Sequence, residues 1–189
     1  MGMSRRETEI KLAFPSAEDA RRALIAAGAV TDRPREFEDN VLYDFEDRRL
    51  FHKGRLLRLR RVGADALVTF KGPVEGESRH KVREESEVRV DDGDEVARIL
   101  EGVGFRPCYR YQKYRSTFTL PGVHAALDET ALGTFVELEG DPDAIDRAAS
   151  ALGRGTRDYL KETYRELQER HAAATGIPAG DLLYPRDTP

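Results

Sequence analysis

Several stretches of the sequence carry charged residues of both signs at every second position. The first holds Glu7, Glu9 and Lys11, which alternate with Thr8 and Ile10. The later ones hold Arg58 and Arg60; Thr69 and Lys71; Lys81, Arg83, Glu85, Glu87 and Arg89; Tyr111, Lys113 and Arg115; and Glu137 and Glu139. Residues two apart on a β-strand share one face. Arginine and lysine bind phosphate oxygens, whereas carboxylates suit hard cations such as Mg²⁺ or Mn²⁺. The pattern therefore favours a site for a polyphosphate and its metal ions.

These charged faces have two interpretations. Taken singly, each strand is better explained by a charged face in solvent over an ordinary apolar core. Taken together, the strands favour charged faces that point inward, because their opposite faces are apolar and can be covered by helices. The apolar faces carry Ile10, Leu12, Leu57, Leu59, Val68, Phe70, Val136 and Leu138. Burial of charge is costly without partners, and a polyphosphate with divalent cations is such a partner.

Alternation and turn signals predict the elements that position these residues. The expected strands cover 5–14, 38–46, 54–62, 65–72, 79–90, 107–120, 122–130 and 134–140, and the expected helices cover 16–29, 93–102, 142–152 and 157–174. Many antiparallel strands with few helices favour a barrel over a doubly wound sheet. We therefore predict an α+β fold: a closed eight-stranded antiparallel β-barrel with helices packed on the outside. The expected organisation is one domain, 1–170, followed by a C-terminal tail, 171–189.

The charged stretches also resemble a known family. Residues 7–11 resemble the N-terminal E-x-E-x-K signature of CYTH proteins, the triphosphate tunnel metalloenzyme superfamily. The rest of the family's set appears in order: LLRLR at 56–60, TFKGP at 69–73, R-x-E-x-E at 83–87, KYR at 113–115, LDE at 127–129 and LGTFVELEG at 132–140. The resemblance covers about residues 5–168. The family includes class IV adenylyl cyclases, thiamine triphosphatases and inorganic triphosphatases.

The resemblance implies roles for individual residues. Catalytic roles would fall to Glu7, Glu9, Lys11, Lys71 and Asp128. The phosphate ligands would be Lys11, Arg58, Arg60, Lys71, Arg83, Lys113, Arg115 and Lys161, the last one placed on the final helix. The metal ligands, for Mg²⁺ or Mn²⁺, would be Glu7, Glu9, Glu85, Glu87, Asp128, Glu137 and Glu139. Asp128 would orient either a metal or a basic side chain, and Tyr164 would be either catalytic or a packing residue.

Three functions remain open at the level of the sequence. The favoured one is divalent-metal-dependent hydrolysis of a triphosphate compound: tripolyphosphate, thiamine triphosphate or a nucleoside triphosphate. The second is cyclisation of ATP to cyclic AMP and pyrophosphate, although no His-Phe pair precedes Glu7 as it does in some cyclases of this family. The third is a non-catalytic polyphosphate- or nucleotide-binding module, which would not need the acidic cluster.

Composition restricts the partners. Basic residues number 31 and acidic residues 35, so the chain has no global field to attract nucleic acid or an anionic membrane. No segment approaches the roughly 20 apolar residues that cross a bilayer. Cys108 is the only cysteine, which excludes an intrachain disulfide and favours a cytoplasmic protein. The expected partner is a small-molecule triphosphate; a homodimer is left open.

Overall fold

The computed structural model describes residues 5–184, with the side chains of 6–184. The strands are β1 Arg5–Phe14, β2 Val30–Asp44, β3 Leu56–Val62, β4 Asp65–Lys71, β5 Lys81–Val90, β6 Arg106–Leu120, β7 Val123–Thr130 and β8 Gly133–Gly140. The helices are α1 Ala17–Ala26, α2 Arg49–His52, α3 Gly93–Gly102, α4 Pro142–Ala151 and α5 Tyr164–Thr175, with a 3₁₀ turn at Thr156–Asp158. Residues 185–189 of the predicted tail lie outside the described part of the chain.

The strands close into a barrel in the order β1-β5-β4-β3-β2-β6-β7-β8. Every neighbouring pair is antiparallel. The hairpin between β3 and β4 turns through Gly63 and Ala64, where Gly63 adopts a φ of 56° that favours glycine. The predicted closed eight-stranded antiparallel barrel is confirmed.

The main apolar core lies between the barrel wall and the helices. Ile10, Leu12 and Leu138 on the outer faces of β1 and β8 pack with Leu24 of α1 and Ile145 of α4. A second cluster joins the outer faces of β2–β4 to α3. Because the helices cover these apolar faces, the alternate residues of the same strands point into the barrel. The lumen is therefore lined by polar side chains, as the charged faces of the strands, taken together, predict.

Two elements differ from the sequence-based expectation near the second strand. β2 begins at Val30, not at 38, and its first half pairs only with β6, across irregular register at Arg33. Residues 30–37 are all exposed and include Pro34, so they show no inward and outward alternation that a pattern could reveal. The four-residue helix α2 was not predicted; Asp44 holds its start by accepting hydrogen bonds from the backbone N–H groups of Leu50 and Phe51.

The last helix begins later than predicted. Residues before Tyr164 are not helical beyond the 3₁₀ turn, since Leu160 forms a two-bond antiparallel bridge with Lys11 of β1. Thr163 caps the helix in a capping box with Glu166. Lys161 is therefore in the extended segment before α5, and its predicted placement on the helix is wrong.

The segment after α5 is attached to the barrel. Leu182 pairs with β6 through two backbone hydrogen bonds, from its N–H to the Arg110 carbonyl (2.9 Å) and from the Gln112 N–H to its own carbonyl (2.8 Å). Its side chain is buried with Tyr109, Tyr111 and residues of α5. The predicted boundary at residue 170 falls inside α5, so residues 171–175 continue a helix.

None of the helices between residues 5 and 184 has the length and apolar character needed to cross a membrane.

Candidate active site

The barrel encloses a cavity of about 950 Å³. Fourteen of the site residues predicted from the sequence line it: Glu7, Glu9, Lys11, Arg58, Arg60, Lys71, Arg83, Glu85, Glu87, Lys113, Arg115, Glu137, Glu139 and Lys161. Cross-strand register explains this convergence, because residues directly opposite on antiparallel strands share a face. Glu7 lies opposite Arg83, and Lys11 lies opposite Glu137. The residues whose charge alternation suggested a site thus share one lumen.

One corner of the lumen is crowded with carboxylates around Lys71. Its Nζ lies 2.7 Å from Glu7 Oε2 and 2.7 Å from Glu85 Oε2. Burial, and then repulsion from Glu9, raise the pKa of Glu7 to about 8. Glu7 and Glu85 are also hydrogen-bonded to one another, and the pKa of Glu85 is lowered even though burial opposes its ionisation. The two carboxyl groups therefore titrate as a coupled pair, in which burial makes Glu7 the harder one to ionise.

Glu9 remains ionised beside that corner. Burial disfavours its charge, but the Lys81 ammonium, 3.1 Å from Glu9 Oε1, and other lysines outweigh burial and lower the pKa of Glu9 to about 2. Lys81 is a buried cavity residue outside the predicted phosphate ligands. The alternation of charged residues in the sequence does place it on the same face as Arg83 and Glu85.

Asp128 is the predicted site residue that does not line the cavity. It lies opposite Arg115 on the lumen face of β7. There it is fully buried beneath other side chains and accepts hydrogen bonds from Lys113 Nζ (2.8 Å), Arg115 Nε (2.6 Å) and the Tyr164 hydroxyl (2.5 Å). Its partners are therefore two basic side chains that line the cavity and one tyrosine. The Tyr164 ring also lies beneath the Lys11 ammonium, 4.7 Å from the ring centre. Burial, and then the Asp128 charge, raise the pKa of Tyr164 well above its ordinary value.

Glu38 is a lumen residue that the sequence analysis did not single out. Its carboxylate lies 3.3 Å from Arg60 and 3.5 Å from Lys113. Burial disfavours its charge, yet Lys113 and the neighbouring arginines hold the pKa of Glu38 well below its ordinary value. Residue 38 stood at the expected start of a strand, where alternation with later positions gave little signal.

The arginine pair of β3 forms the opposite wall. Arg58 donates to the Tyr111 hydroxyl (3.2 Å) and to Thr69 Oγ1 (3.1 Å). Arg60 donates to Glu87 Oε2 (2.7 Å), which also accepts a 2.6 Å hydrogen bond from Thr69. Thr69 and Glu87 therefore connect the two guanidinium groups in one hydrogen-bonded network.

The carboxylates of the lumen are oxygen ligands of the kind that a hard divalent cation prefers. Glu7, Glu9 and Glu85 are held close enough together that their charges disturb one another's ionisation, and a divalent cation would relieve that repulsion. In the arrangement of residues 5–184, no three His, Cys, Asp or Glu side chains are grouped as a formed metal site. The carboxylates are instead paired with lysine and arginine, so the predicted metal ligands remain a prediction.

Lys161 lies at a mouth of the cavity. Its ammonium donates a 2.8 Å hydrogen bond to the Ser78 carbonyl in the loop between β4 and β5. Thr163 and Arg165 line the cavity next to it. Lys161 is therefore held at the cavity by a contact with the β4–β5 loop, and its predicted role in phosphate binding remains a prediction.

Residues 5–165 match the family model described as the CYTH domain. The chain belongs to the CYTH family. A CYTH relative by sequence is the protein named "Putative adenylate cyclase" of Methanocaldococcus jannaschii, which is 29% identical over 145 residues, 71% of this chain and 82% of the relative.

Two solved structures share this CYTH barrel. A "putative adenylate cyclase" from Vibrio parahaemolyticus superposes with a TM-score of 0.76 at 21% identity, covering 88% of this chain and 99% of that one. A "putative adenylyl cyclase" from Hippeastrum, described as having a dominant triphosphatase activity, superposes with a TM-score of 0.65 at 18% identity, covering 94% and 98%. At these identities the likeness extends to the fold alone.

Proposed function

We propose that the protein hydrolyses a triphosphate compound in the barrel lumen, with Mg²⁺ or Mn²⁺ as cofactor. The observation that carries the proposal is the cavity of about 950 Å³ lined by both cations and carboxylates. The Hippeastrum relative, with its dominant triphosphatase activity, supports hydrolysis within this fold. Phosphoryl transfer depends mainly on positioning and charge stabilisation, and a lumen of this kind supplies both.

The charge balance of the lumen supports a metal requirement. Among described residues, the cations that line it are Lys11, Arg55, Arg58, Arg60, Lys71, Lys81, Arg83, Lys113, Arg115, Lys161 and Arg165. The carboxylates that line it are Glu7, Glu9, Asp44, Glu85, Glu87, Glu137, Glu139 and Glu166, and the buried Glu38 and Asp128 lie beside them. These ten carboxylates nearly balance the eleven cations, so a triphosphate that enters alone adds negative charge that is largely uncompensated. A triphosphate that enters with divalent cations does not.

The chain's own residues have distinct tasks in this proposal. Glu7, Glu9, Glu85, Glu137 and Glu139 would hold the metal, which when bound neutralises phosphate oxygens and activates water. The arginines and lysines would hold the triphosphate extended along the lumen, arginine through paired hydrogen bonds. Attack of water on the terminal phosphorus breaks its bond to the bridging oxygen. The barrel wall limits the access of bulk water to the reacting group.

Cyclisation of ATP is the second candidate. It is favoured by the name of the Methanocaldococcus jannaschii relative, a "Putative adenylate cyclase". In that reaction the ribose 3′-hydroxyl attacks the α-phosphorus, and pyrophosphate leaves. The same cations would hold the phosphates in both reactions, so the position of the organic end relative to the metal decides between them. A binding module without activity is less well supported, because it would not need the carboxylates at Glu7, Glu9 and Glu137.

Product analysis tests the proposal. The protein is incubated with tripolyphosphate, thiamine triphosphate or ATP, each with Mg²⁺, with Mn²⁺ and with chelator, and the products are identified. Hydrolysis predicts orthophosphate that appears only with metal. If ATP gives cyclic AMP and pyrophosphate, the reaction is cyclisation and the proposal of hydrolysis is wrong. Absence of any product from all three compounds with both metals would contradict an enzymatic role.

A further inference from the structure

The β2–β3 wall of the lumen contains an unusual concentration of buried polar atoms without hydrogen-bond partners. Among the side chains of residues 6–184, seven buried nitrogen or oxygen atoms make no hydrogen bond, and five of them are here. They are Glu38 Oε2, Asn40 Oδ1, Asn40 Nδ2, Arg58 Nε and Arg60 Nε. Glu38 Oε2 is still in an ion pair with Lys113, at 3.5 Å. Burial removes water from the other four atoms, so each of them lowers stability unless a ligand or an ordered water satisfies it.

Asn40 is at the centre of this group. It lies opposite Arg60 on β3 and opposite Tyr111 on β6. Both of those residues line the cavity, and directly opposite residues share a face, so the amide is on the lumen side of β2. Its exposed fraction is 0%, and both of its amide atoms lack a hydrogen-bond partner. A buried amide that is used only for packing would ordinarily be hydrogen-bonded.

The neighbours of Asn40 define the chemistry of its ligand. Arg58 and Arg60 are donors only, and the Nε–H group of each has no hydrogen-bond partner. Their other N–H groups donate to Tyr111, Thr69, Glu38 or Glu87. Asn40 is uncharged, so its N–H groups add donors to this wall without adding charge. A phosphoryl group, which has several acceptor oxygens, can take all these donors together.

We propose that Asn40 is a substrate-positioning residue, whose side-chain Nδ2 donates to the phosphoryl group bound by Arg58 and Arg60. When phosphate displaces Glu38 and Glu87 from the guanidinium groups, the arginines turn toward the ligand and uncover the amide between them. This inference rests on the proposed function, since it assigns one wall of the same lumen to one phosphoryl group. It adds an uncharged hydrogen-bond donor to the phosphate ligands, which were predicted from charged residues only.

The test combines binding with thermal stability. Asn40→Leu and the wild type are compared by calorimetric titration with a non-hydrolysable imido analogue of tripolyphosphate in Mg²⁺ buffer, and by thermal unfolding without ligand. We expect the Kd of Asn40→Leu to rise about tenfold or more, the effect of one lost hydrogen bond to a charged group. We expect its Tm without ligand to rise by about 3 °C, because an unsatisfied buried amide is removed. A merely structural amide would give the opposite sign of Tm change.

Two further variants complete the test. Asn40→Asp keeps the shape of the side chain but loses the donor and adds a negative charge, so its Kd should rise at least as much. Gln112→Leu is the matched control, since Gln112 is a buried amide beside Asp39 on the outer face of the neighbouring strand. Its Kd should equal that of the wild type.

These measurements distinguish a failure of the role of Asn40 from a failure of the proposed function. Wild-type Kd in Asn40→Asp, or a lowered Tm with unchanged Kd in Asn40→Leu, would overturn the role of Asn40. The second result would assign the amide to a structural water. If the wild type itself fails to bind the analogue, the proposed function fails, and the role of Asn40 in it fails with it.

Discussion

Arg60 and Arg61 are adjacent on β3 and point to opposite sides of the barrel wall. Arg60 is in the lumen with Glu38 and Glu87. Arg61 is outside, where it contacts Asp94 and the Gly93 carbonyl at the start of α3. Although the two arginines are adjacent in sequence, one contacts lumen residues and the other contacts the start of α3.

This pair gives the first prediction. Arg60→Ala should raise the KM for the triphosphate about 10- to 100-fold, because one charge-assisted phosphate contact is lost. Arg61→Ala should leave KM unchanged, since its contacts are outside the barrel. Steady-state kinetics of both variants measure this difference. Equal KM values for Arg60→Ala and the wild type would remove Arg60 from the phosphate site.

Glu38 gives a prediction for pH. Its pKa is depressed in the folded protein, so its ion pairs contribute stability above the unfolded-state pKa, and this contribution is lost as pH falls toward the folded-state pKa. Glu38→Gln should therefore lower the free energy of unfolding by about 3 kcal/mol at pH 7. The difference from the wild type should shrink below about pH 4, near the ordinary glutamate pKa. Urea unfolding at a series of pH values measures it, and a difference that grows in acid would contradict the assignment.

At the scale of elements, the segments around α5 cover two places where neighbouring strands separate. β1 pairs with β5 only up to Glu9, and beyond that point Leu160 pairs with Lys11. β6 pairs with β7 from Lys113 onward, and before that point Leu182 pairs with Tyr111. The segments on either side of α5 therefore complete the barrel wall beside residues of the lumen.

Leu182 and its neighbour Leu183 allow a direct test of this attachment. Leu182 is 4% exposed and Leu183 is 46% exposed. Leu182→Ala should lower the free energy of unfolding by about 2–3 kcal/mol, as expected for a buried leucine, whereas Leu183→Ala should change it by less than about 0.5 kcal/mol. Denaturant unfolding of both variants distinguishes the outcomes. Equal free energies of unfolding for the two variants would contradict the attachment of this segment to the barrel.

Features that depend on periodicity could be predicted from the sequence, whereas features that depend on single long-range contacts could not. Strand alternation located Glu7, Arg60 and Glu137 on the lumen faces because a period of two fixes the face of every residue in a strand. It did not locate the late start of α5 or the docking of Leu182, because each depends on one backbone bridge to a distant strand. Asn40 escaped notice because it is an uncharged residue in a pattern recognised by charge.

At the scale of the whole molecule, the interior of the barrel is polar and the apolar core lies outside it. The apolar faces turn outward to α1, α3 and α4, and the charged faces enclose the cavity. The helices thus supply the core that keeps the barrel folded while its interior remains polar. The apolar core and the polar site are therefore carried by opposite faces of the same strands.

The proposed function requires that the lumen carboxylates support metal-dependent turnover of a triphosphate. Turnover of the best substrate is measured with Mg²⁺ and with Mn²⁺ for the wild type, for Glu9→Gln and for the outer-face control Glu84→Gln, with circular dichroism to check folding. We predict that Glu9→Gln is folded and has lost metal-dependent turnover, while Glu84→Gln resembles the wild type. Undiminished turnover in Glu9→Gln would contradict this claim.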